Sequence, residues 1–127
     1  MKDFCLEENQ ADADPAMIGE ILGAAGVNIE GLCFAAFGER CVIHFVVEDD
    51  VTAMRALEGA GVNIKEISQV YVLHKDRKHV TGKPGSFGDI CRTLSDHGIK
   101  IRFGYPAENN RFVFGVDDVE KTRELLE

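Results

Sequence analysis

One phrase recurs along the chain, and its recurrence limits what the chain can fold into. "AAGVNIEGL" (24–32) returns as "GAGVNIKEI" (59–67) and, more loosely, as "DHGIKIRFG" (96–104). Each copy follows a stretch with helical periodicity. Before Gly26 the apolar residues Met17, Ile18, Ile21, Leu22 and Ala25 share one face; before Gly61 the set is Val51, Met54 and Leu57; before Gly98 it is Phe87, Ile90, Cys91 and Leu94. Asp14 ahead of Pro15, the pair Asp49 and Asp50, and Ser86 mark the helix starts. The glycine reads as a left-handed helix cap, a conformation cheap only for Gly. The residues after it, "VNI" or "IKI", alternate apolar with polar, the period of a half-buried strand. Each phrase is therefore expected to be a helix stop joined directly to a strand start.

A second repeat fixes the larger plan. "EDDVTAMRALE" (48–58) resembles "VDDVEKTRELLE" (116–127), with Asp, Asp, Val, Arg and Leu in register. Between each cap glycine and the following Asp pair lie two apolar runs around a turn. These are "NIEGLCFAAF" and "RCVIHFVV" around "GE", then "KIRFGY" and "RFVFGV" around "PAENN". Both read as β-hairpins. The order, from "KDFCLEE" to "EISQVYVL", is strand, helix, strand, strand, helix, strand. A second copy runs from a strand near "KHVT" to a helix over 117–127 and lacks the last strand. The fold class is thus α+β: two ferredoxin-like βαββαβ units in tandem, residues 1–74 and 75–127, each an antiparallel sheet with helices on one face. "EISQVYVL" is expected to serve both units, pairing with "KDFCLEE" on one side and "KHVT" on the other. "CVIHFVV" is apolar at nearly every position, as in a strand covered on both faces. A homodimer through Phe34, Val42, His44, Val46 or their neighbours would cover it.

Composition narrows the function. An apolar share of 45% supports a packed core. The net charge of −8 repels phosphate backbones and argues against nucleic acid as a partner. "MKDFCLEEN" turns acidic too early for a signal peptide, and "CVIHFVV" is too short to span a bilayer, so a cytoplasmic protein with no membrane contact is expected. Cys5, Cys33, Cys41 and Cys91 form no C-x-x-C pair and read as buried free thiols. No histidine pair has zinc-like spacing, so neither metal nor cofactor is expected.

"GKPGSFGDICRTLSDHGIKI" (82–101) closely resembles the opening of an ACT domain: Pro-Gly, an apolar residue two later, a helix, then Gly-Ile-Asn-Ile. Placing Gly26 on Gly98 extends the resemblance over nearly the whole chain. "AGVNI" fits well in the first unit, while Asp12-Ala13-Asp14-Pro15 stands where the second has Pro84-Gly85-Ser86-Phe87, and Lys100 stands where the first has Asn28. The resemblance implies a domain that binds an amino acid or similar small effector, pairs with other such units, and regulates an enzyme. It also implies, by matched position, that Glu8, Gln10 and Asn28 contact the ligand, with Asp12 nearby.

The loops support a site on their own chemistry. A turn feeding a helix N-terminus presents unpaired N–H groups and the positive end of the helix dipole, which together hold a carboxylate. The candidates are Asp12 and Asp14 in the first loop and Gly82, Pro84, Gly85 and Ser86 in the second. Pro-Gly before a helix is also good turn chemistry, and Asn28 also suits a solvent-facing position. With no nucleophile beside a base and no phosphate-cradling glycine motif, catalysis is not expected. Three readings stand: first an amino-acid-binding regulator acting in trans, then a ligand-free oligomerisation module of the same fold, and last a metal-binding regulator using the scattered Cys and His. The first unit, with Gln10 and Asn28 where the second has Gly82 and Lys100, is expected to bind better.

Overall fold

The recurring phrase is the end of a helix, built three times with the same hydrogen bonds. In a computed structural model, which describes residues 1–77 and 80–127, Gly26, Gly61 and Gly98 have φ of 74°, 79° and 75°. Each glycine N–H donates to the carbonyl three residues back, of Gly23, Glu58 or Ser95, at 3.0 Å. The next residue, Val27, Val62 or Ile99, donates to Leu22, Leu57 or Leu94 at 2.9 Å. This is the Schellman arrangement, and the apolar residue after the glycine packs beside the leucine it bonds. Leu22, Leu57 and Leu94 are fully buried, each contributing about 1.5–3 kcal/mol of transfer free energy. Val27, Val62 and Ile99 are buried with them. The expectation of an immediate strand start is therefore corrected. In the first two copies "VNI" first closes the helix and the strands begin later, at Gly31 and Glu66, whereas the third copy enters its strand at Ile101, the last residue of "IKI".

The chain divides into two units, Met1–Ser68 and Gln69–Glu127. The first contains β1 (Lys2–Asn9), α1 (Pro15–Ala24), β2 (Gly31–Phe37), β3 (Arg40–Val47), α2 (Asp50–Gly59) and β4 (Glu66–Gln69), with strand order β4-β1-β3-β2. Its core joins Phe4, Leu6, Ile43, Phe45 and Val47 from the strands to Ile18, Leu22, Ala53 and Leu57 from the two helices. The second unit contains β5 (Tyr71–His74), α3 (Ser86–Asp96), β6 (Ile101–Ala107), β7 (Arg111–Val116) and α4 (Val119–Leu126), with strand order β6-β7-β5. There Tyr71, Leu73, Phe114 and Val116 pack with Leu94 and Ile99. The fold class is as expected: among the described residues, seven strands and four helices in ferredoxin-like units, antiparallel in β1–β3, β2–β3, β5–β7 and β6–β7.

Two details of the plan change. "EISQVYVL" is not one strand shared by two units but two strands broken at Val70. β4 is mostly exposed and sits at an edge beside β1, whereas β5 alternates buried and half-buried and pairs with β7. Tyr71 and Leu73 insert into the second core, so that unit starts near Gln69 rather than after His74. In "KHVT", Lys78 and His79 lie outside the described residues, while Val80 and Thr81 belong to the loop before α3.

The two Asp pairs cap their helices in different registers. Asp49 caps α2, accepting from Thr52 N–H at 3.1 Å, but in the second unit Asp118 caps α4, accepting from Lys121 N–H at 2.9 Å. Asp117, the positional match of Asp49, instead accepts from Lys100 N–H at 3.0 Å and ties β6 to β7 at their ends.

Register also separates the residues expected to form one interface. Phe34 pairs with Ile43 and so lies on the helix side of the sheet. Val42, His44 and Val46 point to the opposite face, opposite Ala35, Cys33 and Gly31. Phe34 is 56% exposed and Val46 is buried. On that opposite face the buried Asp3 carboxylate lies 2.9 Å from His44 Nδ1.

Candidate functional site

The loop that feeds α3 is organised by Ser86. Its hydroxyl, buried at the first helical position, donates to Lys83 O at 2.7 Å and Val80 O at 3.0 Å. Those bonds draw residues 80–85 into a tight turn, with Gly82 and Gly85 at φ of 70° and 84°. Gly85 is the N-cap residue and, unlike Asp14, Asp49 and Asp118, provides no side-chain acceptor for the first turn. Ser86 N–H donates to Lys83 O at 3.2 Å, which leaves the Phe87 and Gly88 amides of the first turn with no side-chain cap and able to face an anion.

Beside this turn lies a cleft of ≈ 530 Å³. Its floor and walls are apolar: Leu73 from β5, Val80 from the loop, Pro106 from β6 and Phe112 from β7, with Phe87 at the helix start. Phe87 remains 47% exposed although its ring meets Phe112 edge-on at 4.9 Å and stacks on Phe114 at 5.8 Å. Lys75 and Lys83 also line it and bring two positive charges to its neighbourhood. Behind the loop, Asn110 donates from Nδ2 to Asp76 Oδ1 (2.6 Å) and Thr81 Oγ1 (2.8 Å). Asn110 sits at φ 53° in the β6–β7 turn, so the hairpin braces the loop.

Of the residues singled out in the sequence, Gly82, Pro84, Gly85 and Ser86 all come together in this cleft. Those of the first unit do not form one group. Gln10 and Asp12 line a separate cleft of ≈ 420 Å³ with Asn9 and Glu39. Asp14 Oδ1 accepts from Met17 N–H at 3.3 Å and is the N-cap of α1. Glu8 pairs with Cys41 along β1, and Asn28 donates to Glu30 Oε2 at 3.1 Å before β2 begins.

Sequence reasoning missed the lysines and the apolar walls. Lys83 directly precedes the Pro-Gly turn and was legible as a neighbour of the site, but it reads as part of a charged turn from His74 to Lys83. Phe112, Pro106 and Leu73 come from three strands, and only pairing brings them together.

The cysteines give no sign of reactivity. All four are free thiols, and burial, reinforced by Asp3, pushes Cys5 and Cys33 up from the ordinary thiol range; burial does the same to Cys91. Among the described residues no group of three His, Cys, Asp or Glu side chains is placed to hold a metal ion. No described helix is long and apolar enough to cross a membrane.

No protein-family model matches the chain, nor does any curated protein sequence. Solved structures resemble it over nearly its whole length. A protein of Bacteroides thetaiotaomicron superposes with a TM-score of 0.78 at 21% identity, covering 98% of this chain and 85% of that one. The ligand-free regulatory subunit of aspartate kinase from Thermus thermophilus superposes with a TM-score of 0.67 at 15% identity, covering 98% and 87%. Clostridium acetobutylicum aspartate kinase matches with a TM-score of 0.60 at 17% identity, covering 99% of this chain but 33% of the enzyme. At these identities the likeness is one of fold: the chain shares the tandem α+β architecture of these structures.

Proposed function

We propose that this chain is a cytoplasmic, non-catalytic regulatory protein that binds a small effector by its carboxylate and acts in trans on an enzyme. The observation that carries this reading is the second unit's cleft, where an uncapped helix start, two lysines and an apolar body converge. Its volume falls within the range of small-molecule sites. Gly82, Pro84, Gly85 and Ser86 shape the carboxylate end, and Leu73, Phe87, Pro106 and Phe112 take the apolar part. The likeness to aspartate kinase regulatory subunits supports a regulatory role, and the resemblance to ACT domains implies an amino acid or a related acid.

The second unit is favoured over the first for a physical reason. In the first, the Asp14 carboxylate already occupies the start of α1, and Asp12 and Glu39 line the neighbouring cleft. A ligand carboxylate there would meet like charge. Glu8, Gln10 and Asn28 then serve the first unit's own structure rather than a ligand.

A thermal-shift screen of the common amino acids and their 2-oxo and 2-hydroxy counterparts tests the reading. A ligand at ~100 times its dissociation constant adds about 2.7 kcal/mol of stability, a clear rise in melting temperature. Lys83→Glu should abolish that rise and Asn28→Ala should leave it. The reverse pattern would move the site to the first unit. No shift from any compound would leave the ligand-free oligomerisation module as the function.

The same proposal includes a homodimer through the exposed apolar side chains of β2, Leu32, Phe34 and Phe37. Light scattering should give twice the chain mass at micromolar concentration, and Phe34→Asp should halve it. A wild-type monomer would remove the dimer from the proposal.

A further inference from the structure

The cleft of the second unit says more about its ligand than that it is acidic. Any α-amino acid brings an ammonium group that must find acceptors once it leaves water, because an unpaired buried charge is costly. Two backbone carbonyls of the turn, those of Val80 and Lys83, are candidate acceptors. Both are already engaged. Val80 O accepts from Ser86 Oγ at 3.0 Å and Lys83 N–H at 3.4 Å; Lys83 O accepts from Ser86 Oγ at 2.7 Å and Ser86 N–H at 3.2 Å. Ser86 has one hydroxyl hydrogen, which the two carbonyls share, so each is engaged by a backbone N–H and by part of that O–H.

The side chains lining the cleft offer no substitute. No Asp, Glu, Asn or Gln is among the described lining residues, whereas Lys75 and Lys83 both are. An ammonium group here would lie near two lysines with no carboxylate or amide side chain among the described lining residues to receive it, and the same lysines reward a carboxylate. The remaining walls, Leu73, Pro106, Phe87 and Phe112, fit a hydrocarbon.

We propose that the second unit's cleft selects apolar carboxylic acids without an α-ammonium group, such as 2-oxo, 2-hydroxy or plain aryl and branched-chain acids, over the amino acids of the same side chain. This rests on the carboxylate reading of the cleft given above. It places the chain as a sensor of the deaminated partner of an apolar amino acid, the species that a transamination or oxidative deamination produces or consumes.

Titration calorimetry on the whole chain with matched compounds tests it: phenylpyruvate, 3-phenylpropionate and L-phenylalanine, then 4-methyl-2-oxopentanoate and L-leucine. The expected result is at least tenfold tighter binding of the acid than of the amino acid in one matched set. Lys75→Gln/Lys83→Gln should shrink that ratio several-fold, with circular dichroism confirming the native fold. Equal or tighter binding of the amino acids overturns this inference while keeping the carboxylate site. Absence of binding by all five overturns both.

Discussion

Phe45→Ala should destabilise the first unit by about 3–5 kcal/mol, the range for deleting a fully buried ring. Phe45 lies at the middle of β3, is fully buried, and stacks on Phe4 of β1 with centroids 5.1 Å apart and planes at 20°. The two residues are directly paired in register, so the stack is set by the strands themselves. The helices close over it through Ile18, Leu22, Ala53 and Leu57. Because β1, β3 and both helices all contribute walls, none can move into the space without breaking pairing or caps elsewhere. Urea unfolding should show a lower midpoint with an unchanged slope. A loss under about 1 kcal/mol would show that the core closes around the deletion and that the stack is not its centre.

Gly115→Val should cost about 1–3 kcal/mol by overpacking in the second unit. Gly115 lies in β7 facing away from the helices, and a Cβ placed on it would fall inside the Phe103 ring. That ring lies over the glycine and stacks on Tyr105 at 6.2 Å, with planes at 22°. The strand pair bulges between Ile101 and Phe103, which brings Phe103 opposite Gly115. The glycine is thus required by a side chain, not by its backbone. Adding Phe103→Ala to Gly115→Val should recover part of the loss, a non-additivity that a double-mutant cycle reads directly. Strict additivity would mean that the two positions do not share the space.

How much of this could be seen in the sequence depends on how local the cause is. The three helix ends were legible because a Schellman cap is made by six consecutive residues, and the phrase from Leu22 to Val27 contains all of them. The caps at Asp14 and Asp49 were legible for the same reason. The Asp pair at 117–118 shows the limit: local pattern places a cap there, but which aspartate serves is decided by Lys100, on another strand. Likewise, the alternation in "VNI" looks like a strand, yet its backbone is spent on closing the helix before it.

The candidate site divides along the same line. Pro84, Gly85 and Ser86 were visible because turn chemistry is written in adjacent residues. Lys75 was hidden by a loop whose course depends on Ser86 reaching back to Val80, and Phe112 and Pro106 by pairing between β6 and β7.

The sequence by itself determined the number and order of the helices, their three glycine-capped ends, the two hairpins and the tandem plan, because spacing and capping act over a few residues. Only the tertiary structure decided that "EISQVYVL" is cut at Val70. Its two halves have similar strand character, but Tyr71 and Leu73 find a buried place in the second core while the first half stays at an exposed edge. It alone also decided that the described lining of the cleft beside α3 includes two lysines and no carboxylate. Which side chains meet across a turn and three strands is fixed by register, and register is a property of paired chains.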